Sequence, residues 1–173
     1  DALKTNSSLT SLKLAGNELG GDDARTLADV LKINASLKSL ELSRNRVGDD
    51  GACEVAAALK SNTSITMLDV GANRMGNGGA CALADALTTN ASLTSLSVSC
   101  QHVGTEGARR LADALTINTS LKVLDCGYNN TGDDGGRALA DVLTTNTSLT
   151  SLDIGANHVG AECTRALADA LKT

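Results

Sequence analysis

The sequence has no proline, no phenylalanine and no tryptophan, and only one tyrosine among its 173 residues. With 42% hydrophobic residues, its core must be aliphatic, built from Leu, Val, Ile and Ala. Without proline, nothing interrupts a regular pattern from within. The longest apolar runs are only a few residues, against the roughly 20 that a membrane-spanning helix needs, so the chain reads as soluble, with no membrane partner. No signal-peptide pattern and no Arg-rich leader is visible. Basic runs and aromatic stacking platforms are missing and the formal net charge is −5, which argues against nucleic acid as a partner. Five cysteines (Cys53, Cys81, Cys100, Cys126 and Cys163) form no C-x-x-C pair, so neither a disulfide framework nor a zinc site is expected. Free thiols suit a reducing compartment, and the expected location is cytoplasmic. There is no phosphate-binding G-x-x-x-x-G-K-S/T loop, and no cofactor is expected.

What is present is a repeat. Asn-x-Ser-Leu, or its close variant, begins at Asn6, Asn34, Asn62, Asn90, Asn118 and Asn146, always 28 residues apart. The expected organisation is a single domain over 1–173, with six units at 6–33, 34–61, 62–89, 90–117, 118–145 and 146–173. Residues 1–5 are identical to 169–173 and read as the tail of a preceding unit, as in a slice of a longer array. Neither end carries a polar cap, so the expectation is a monomer able to associate end to end.

Within a unit, Leu9, Leu12, Leu14, Asn17 and Leu19 spell L-x-x-L-x-L-x-x-N-x-L. The period of two around Leu12 and Leu14 predicts a short strand. Gly20 follows, returning at Gly48, Gly76, Gly104, Gly132 and Gly160, where a positive φ or close packing calls for glycine. Asp49, Asn77, Thr105 and Asp133 come next and are expected to cap the helix each of them opens. Ala24, Leu27, Ala28 and Leu31 then mark one apolar helical face. Ala28 is alanine in all six units, which allows close approach. Arg25/Asp29, Arg109/Asp113, Arg137/Asp141 and Arg165/Asp169 read as i,i+4 pairs on the opposite, solvated face. The Asn34-type residue, just past the helix, is expected in the left-handed region. It also makes an N-x-S/T sequon, but its match to the structural period favours a structural role over glycosylation.

The pattern resembles the ribonuclease-inhibitor type of leucine-rich repeat over the entire chain, and is similar to the arrays of NOD-like receptors and Ran GTPase-activating protein. The resemblance implies an α/β solenoid curved like a horseshoe, with parallel strands on the concave face and helices on the convex face. It also implies an asparagine ladder at Asn17, Asn45, Asn73, Asn129 and Asn157. Gln101 departs from that motif, so strain or rearrangement is expected in the fourth unit; Cys126 and Thr131 are departures in the fifth.

No catalytic constellation stands out, and the chain reads as non-enzymatic. Asp49-Asp50-Gly51 and Asp133-Asp134-Gly135 lack calcium-loop spacing, and His102 and His158 sit two units apart, too far to share a metal. The candidate site is the concave face, as a surface for a protein partner. Met67, Val123 and Tyr128 are apolar or aromatic where solvent is expected; Arg44, Arg46 and Arg74 lie beside the acids Glu41 and Asp69; Asp125 and Asp153 continue the acidic row. The plainer alternative is a solvated surface whose arginines and acids pair with one another. Function under the resemblance is that of a protein-interaction module, such as the ligand-sensing region of a NOD-like receptor. The alternatives are a GTPase-activating protein like that of Ran, or the target-recognition region of a host-directed bacterial effector.

Overall fold

In the computed structural model, which describes residues 2–172, every repeat is a strand, a loop and a helix. After a short α1 (Ala2–Thr5), the strands are β1 (Ser11–Lys13), β2 (Ser39–Glu41), β3 (Met67–Asp69), β4 (Ser95–Ser97), β5 (Val123–Asp125) and β6 (Ser151–Asp153). The helices are α2 (Gly21–Leu31), α3 (Gly48–Leu59), α4 (Asn77–Leu87), α5 (Gly104–Leu115), α6 (Gly132–Val142) and α7 (Ala161–Ala170). The strands form one parallel sheet in sequence order, each residue pairing with the residue 28 positions on, such as Leu12 with Leu40 and Leu40 with Leu68. Asp1 and Thr173, the outermost residues of the two identical five-residue segments, lie outside the described residues.

A core of Leu, Val, Ile, Met, Ala and Cys lies between sheet and helices. Leu40, Leu68, Leu96 and Leu124 are fully buried, whereas Leu12 and Leu152, in strands with a neighbour on one side only, are partly exposed. Ala28, Ala56, Ala84, Ala112 and Ala140 are buried, but Ala168 on α7 is exposed.

Two sets of buried amides clamp the repeats together. In the loop after each strand, the Asn45 Oδ1 accepts from the backbone N–H of Asn17 and Leu19, both at 2.9 Å. Its Nδ2 donates to Leu14 O and Leu42 O. Asn73, Asn129 and Asn157 bond across the repeat boundary in the same way. Gln101 fills the corresponding place in the fourth repeat. Its Oε1 accepts from Asn73 N and Met75 N at 2.9 Å, and its Nε2 donates to Val70 O. The longer side chain makes no bond to its own Val98 carbonyl among the described residues, so the rearrangement loses one contact and keeps the link.

The second set is Asn34, Asn62, Asn90, Asn118 and Asn146. None has positive φ, so the expectation of a left-handed helix end is overturned. Asn62 donates to Leu31 O at 2.7 Å, at the end of the first repeat, and to Asn34 O at 3.2 Å, at the start of the second, while accepting from its own Ser64 N and Ile65 N. With Asn34, Asn62, Asn90 and Asn118 only 5–6% exposed, these sequon positions have no room for a glycan in the folded chain.

The helix caps also differ from expectation. Asp49 and Asp133 lie inside the helices they were expected to cap, and they cap the next helix instead. Asp49 Oδ1 accepts from Gly76 N and Gly79 N of the α4 start. Asp133 accepts from Gly160 N, Glu162 N and Cys163 N of the α7 start, and Asn77 Oδ1 accepts from Gly107 N of α5. Thr105 donates to Thr131 O. The pre-helix glycine therefore takes two forms. At Gly48, Gly104 and Gly132 φ is positive and the N–H points forward to the carbonyl of Asn73, Asn129 or Asn157. At Gly76 and Gly160 φ is negative and the N–H turns back to the capping aspartate of the previous repeat.

The convex ion pairs are likewise not i,i+4. Arg25 pairs with Asp22 and with Glu54 of the next helix, Arg109 with Asp134 of the next helix, and Arg165 with Glu162. Arg137 forms no ion pair among the described residues. These contacts are exposed, and solvent screening leaves each of them little net effect on stability.

Capping across a boundary predicts a displaced effect. Asp49→Ala should cost about 1 kcal/mol and should speed amide exchange at Gly76 and Gly79 rather than at the start of α3. At Asp133 the backbone N–H of Cys163, followed by those of Gly160 and Glu162, holds the carboxyl below the usual carboxylate range. A depressed folded pKa contributes stability at pH above the unfolded value of about 3.9, and that contribution is lost as the pH falls through the folded value. Melting curves of wild type and Asp133→Ala should therefore differ at neutral pH and draw together in acid. A gap that widens in acid would contradict the assignment.

Candidate partner-binding face

The strands place Ser11, Ser39, Met67, Ser95, Val123 and Ser151 on one concave row. Val123 is 38% exposed, whereas Met67 is partly buried and accepts a weak hydrogen bond from Ser39 Oγ at 3.6 Å. The acidic row serves the backbone as well as the surface. Asp69, Asp125 and Asp153 each accept from the N–H two residues on, at Gly71, Gly127 and Gly155, at 2.7–2.9 Å. Asp125 also accepts from Ser97 Oγ at 2.9 Å. Each of the three carboxylates fixes the start of its loop and keeps its charge toward the concave side.

Beyond the strands the loop backbone is held in the left-handed region, twice in each of the last four repeats and once, at Arg44, in the second. Arg44, Ala72, Cys100, Tyr128 and Ala156 have φ of 52–58°, and Arg74, His102, Asn130 and His158 have φ of 53–59°. A left-handed non-glycine residue is strained by about 1–3 kcal/mol. Here its N–H is fixed by the next repeat: Arg44 to Gly71 O, Ala72 to Ser99 O and Tyr128 to Gly155 O, all at 2.8 Å. The side chains of these loops are thereby displayed from a stiff frame. Tyr128, the only aromatic residue of the chain, is 68% exposed.

The basic residues pair with the acids only in part. Glu41 pairs with Lys13 at 2.9 Å, and Arg46 with Glu18 at 3.2 Å. Arg44 and Arg74 make no ion pair among the described residues. Together with Arg46, Glu18, His102 and Cys100 they line an open depression of about 690 Å³ across the first four loops. His102 and His158 remain apart; His102 Nδ1 faces Asn130 Nδ2 at 3.4 Å. Among the described residues, no group of three or more His, Cys, Asp or Glu could hold a metal ion, and no helix is long and apolar enough to cross a membrane.

A family model described as "Leucine Rich repeat" matches residues 5–28, 34–56, 61–84, 89–112, 118–140 and 145–168. The chain belongs to the leucine-rich repeat family. Among solved structures, it is similar to leiomodin-1 actin-binding site 2, with 23% identity over 84% of this chain and 85% of that one, at a TM-score of 0.75. The tropomodulin C-terminal domain of Caenorhabditis elegans is 14% identical, covering 84% of this chain and 89% of that one, at a TM-score of 0.71. At these identities the likeness is one of fold. No curated protein matches the chain.

Two features of this leucine-rich repeat array take their meaning only from the stacked repeats. One is the second amide ladder. The other is the Thr131 hydroxyl, buried at a place where other repeats carry Leu19, Val47, Met75, Val103 and Val159, and without a hydrogen-bond partner among the described residues. A polar residue breaking an apolar column was the signal available for it. Cys126 is its buried neighbour in the same repeat, and burial pushes that thiol far up, with Asp125 and Asp153 adding to the shift, which leaves it unreactive.

Proposed function

We propose that this array is a non-enzymatic interaction module that takes a partner protein on its concave face and adjoining loops. The observation that carries this reading is the pair of unpaired arginines, Arg44 and Arg74, displayed with Tyr128 and Val123 on a frame whose other polar groups are largely tied. Tyrosine and arginine dominate interface hot spots, and solenoids offer extended concave binding surfaces. The contact set is Arg44, Arg46 and Arg74 on the loops, Met67 and Asp69 on β3, and Val123, Asp125, Tyr128 and Asp153 on the last two repeats. The 28-residue ribonuclease-inhibitor-type spacing supports a ligand-sensing role of the kind found in cytoplasmic NOD-like receptors. The leiomodin-1 neighbour, an actin-binding site, supports a protein as the class of ligand.

The test is affinity capture from lysate with wild type and an Arg74→Glu, Asp125→Lys, Tyr128→Ala variant whose fold is checked by circular dichroism. A partner held by wild type and lost by the variant is the expected result. A partner retained by both would move the site to the convex helices. Acceleration of GTP hydrolysis by a small GTPase would replace this reading with a regulatory one.

A further inference from the structure

We infer that the depression across the first four loops is a subsite for a run of carboxylates, an acidic peptide segment carried by the partner. This inference rests on the reading of the chain as a protein-binding module and specifies what one end of its surface recognises.

The charge balance is the first argument. The chain carries a formal charge of −5, so its overall field repels an acidic peptide. Arg25, Arg46, Arg109, Arg110 and Arg165 are ion-paired. Among the described residues, Arg44, Arg74 and Arg137 are not, and two of these three line the same depression. Its acids are accounted for: Glu18 is paired with Arg46, and Asp49 Oδ1 is bound by two N–H groups at the α4 start. Three arginines (Arg44, Arg46, Arg74) against two carboxylates (Glu18, Asp49) leave the depression with a formal charge of +1, on a molecule that is acidic as a whole.

Preorganisation is the second argument. Arg44 and Arg74 both sit at positive φ, 57° and 59°, in adjacent repeats. The Arg44 N–H is anchored to Gly71 O at 2.8 Å, and the Arg74 loop is flanked by Asn73 N and Met75 N, both bound to Gln101. The guanidinium groups thus spring from fixed points in neighbouring repeats, Arg74 lying two residues beyond Ala72, the residue equivalent to Arg44. Side-chain carboxylates on one face of an extended peptide recur every two residues, at about 6.5–7 Å, a spacing that flexible arginine stems reach. Guanidinium binds carboxylate through two parallel N–H···O bonds. His102 and the small side chains Ala72 and Cys100 leave the floor open to receive them.

The experiment is fluorescence anisotropy of a labelled oligoglutamate peptide against the full chain, with an oligoglutamine peptide of equal length and a serine-phosphorylated neutral peptide as further arms. The oligoglutamate peptide is expected to bind, weakening as salt rises, and the oligoglutamine peptide to stay free. The double variant Arg44→Gly, Arg74→Gly should weaken binding at least about tenfold. Glycine relieves the left-handed strain, so a lost fold cannot account for that loss. Arg137→Glu, on α6, should leave the affinity unchanged. Failure of the oligoglutamate peptide to bind, equal binding of the double-glycine variant, loss with Arg137→Glu, or binding of the phosphopeptide alone would each overturn the inference. The broader reading falls separately, if lysate capture ceases to depend on Tyr128 and Asp125.

Discussion

Asn62→Ala is expected to destabilise the array by roughly 3–5 kcal/mol, while Asn6→Ala should cost under about 1 kcal/mol. Both open the same Asn-x-Ser/Thr-Leu/Ile motif, so the difference isolates what one amide does across a repeat boundary. Asn62 is 5% exposed and holds Leu31 O and Asn34 O of the earlier repeats together with its own Ser64 N and Ile65 N. Truncation leaves Leu31 O, Ser64 N and Ile65 N buried without that partner, while Asn34 O keeps the Ser64 hydroxyl; each orphan costs about 1–3 kcal/mol, partly relieved if water enters. Asn6 is exposed, and its side chain accepts only from local groups, Ser8 N and Leu9 N on the backbone and the Ser8 hydroxyl. Because solenoid stability is a sum of repeat and nearest-neighbour terms, the damage should localise. Amide exchange should rise first at the junction of the second and third repeats, and the denaturant dependence should lose cooperativity. Asn62→Asp should be no milder, since a carboxylate would face two carbonyl oxygens. Equal, small losses at Asn6 and Asn62 would show that water replaces the ladder.

The fold was legible because its signal repeats without slip: the leucine column, the asparagine after it and the alternation around Leu12 and Leu14 each recur at 28 residues. What was not legible is everything that pairs one repeat with the next. Asp49 reads locally as the cap of α3, and only stacking shows that its carboxylate reaches Gly76 and Gly79 of α4. Asn34 and its equivalents look like helix stops, because the carbonyls they bind lie about 28–31 residues back. The arginines near Glu41 and Asp69 in sequence register look paired, yet Glu41 is taken by Lys13 and Asp69 turns to its own Gly71 N. Residue types on the concave rows were visible from alternation; which charges remained free was a matter of side-chain competition that no single repeat contains. Strained loops were hidden for the same reason: Arg44, Cys100 and Tyr128 are ordinary residues whose positive φ is imposed by hydrogen bonds to the next repeat.

The second large effect concerns how closely neighbouring helices approach. At four boundaries an alanine faces a glycine: Ala24 against Gly51, Ala52 against Gly79, Ala80 against Gly107 and Ala108 against Gly135. A Cβ on Gly79 would lie 2.8 Å from that of Ala52 and closer still to the buried Met75, so Gly79→Ala should destabilise by about 1–3 kcal/mol despite alanine's helix propensity. At the fifth boundary the sizes are exchanged. Gly136 stands where the alanines do, and Cys163 where the glycines do; a Cβ on Gly136 would come within 2.8 Å of the buried Cys163 Sγ and 2.6 Å of Val159 Cγ1. Val159 is 37% exposed and can turn aside, but Cys163 is fully buried and cannot. Gly136→Ala alone should therefore cost about 1–2 kcal/mol net of propensity, and Cys163→Gly a similar amount through the void it leaves and the glycine it puts in α7. Combined, the two recreate the alanine–glycine contact of the other boundaries, and the double variant should be more stable than the sum of the singles by about 1–2 kcal/mol. Strict additivity in a denaturation cycle would mean that the helices slide to accommodate either residue, and that the exchange of sizes at this boundary is incidental. Positive coupling would show that each boundary admits one side chain, on either helix. A 27-residue covariation between the two positions would then be a readable mark of helix contact in the sequence itself.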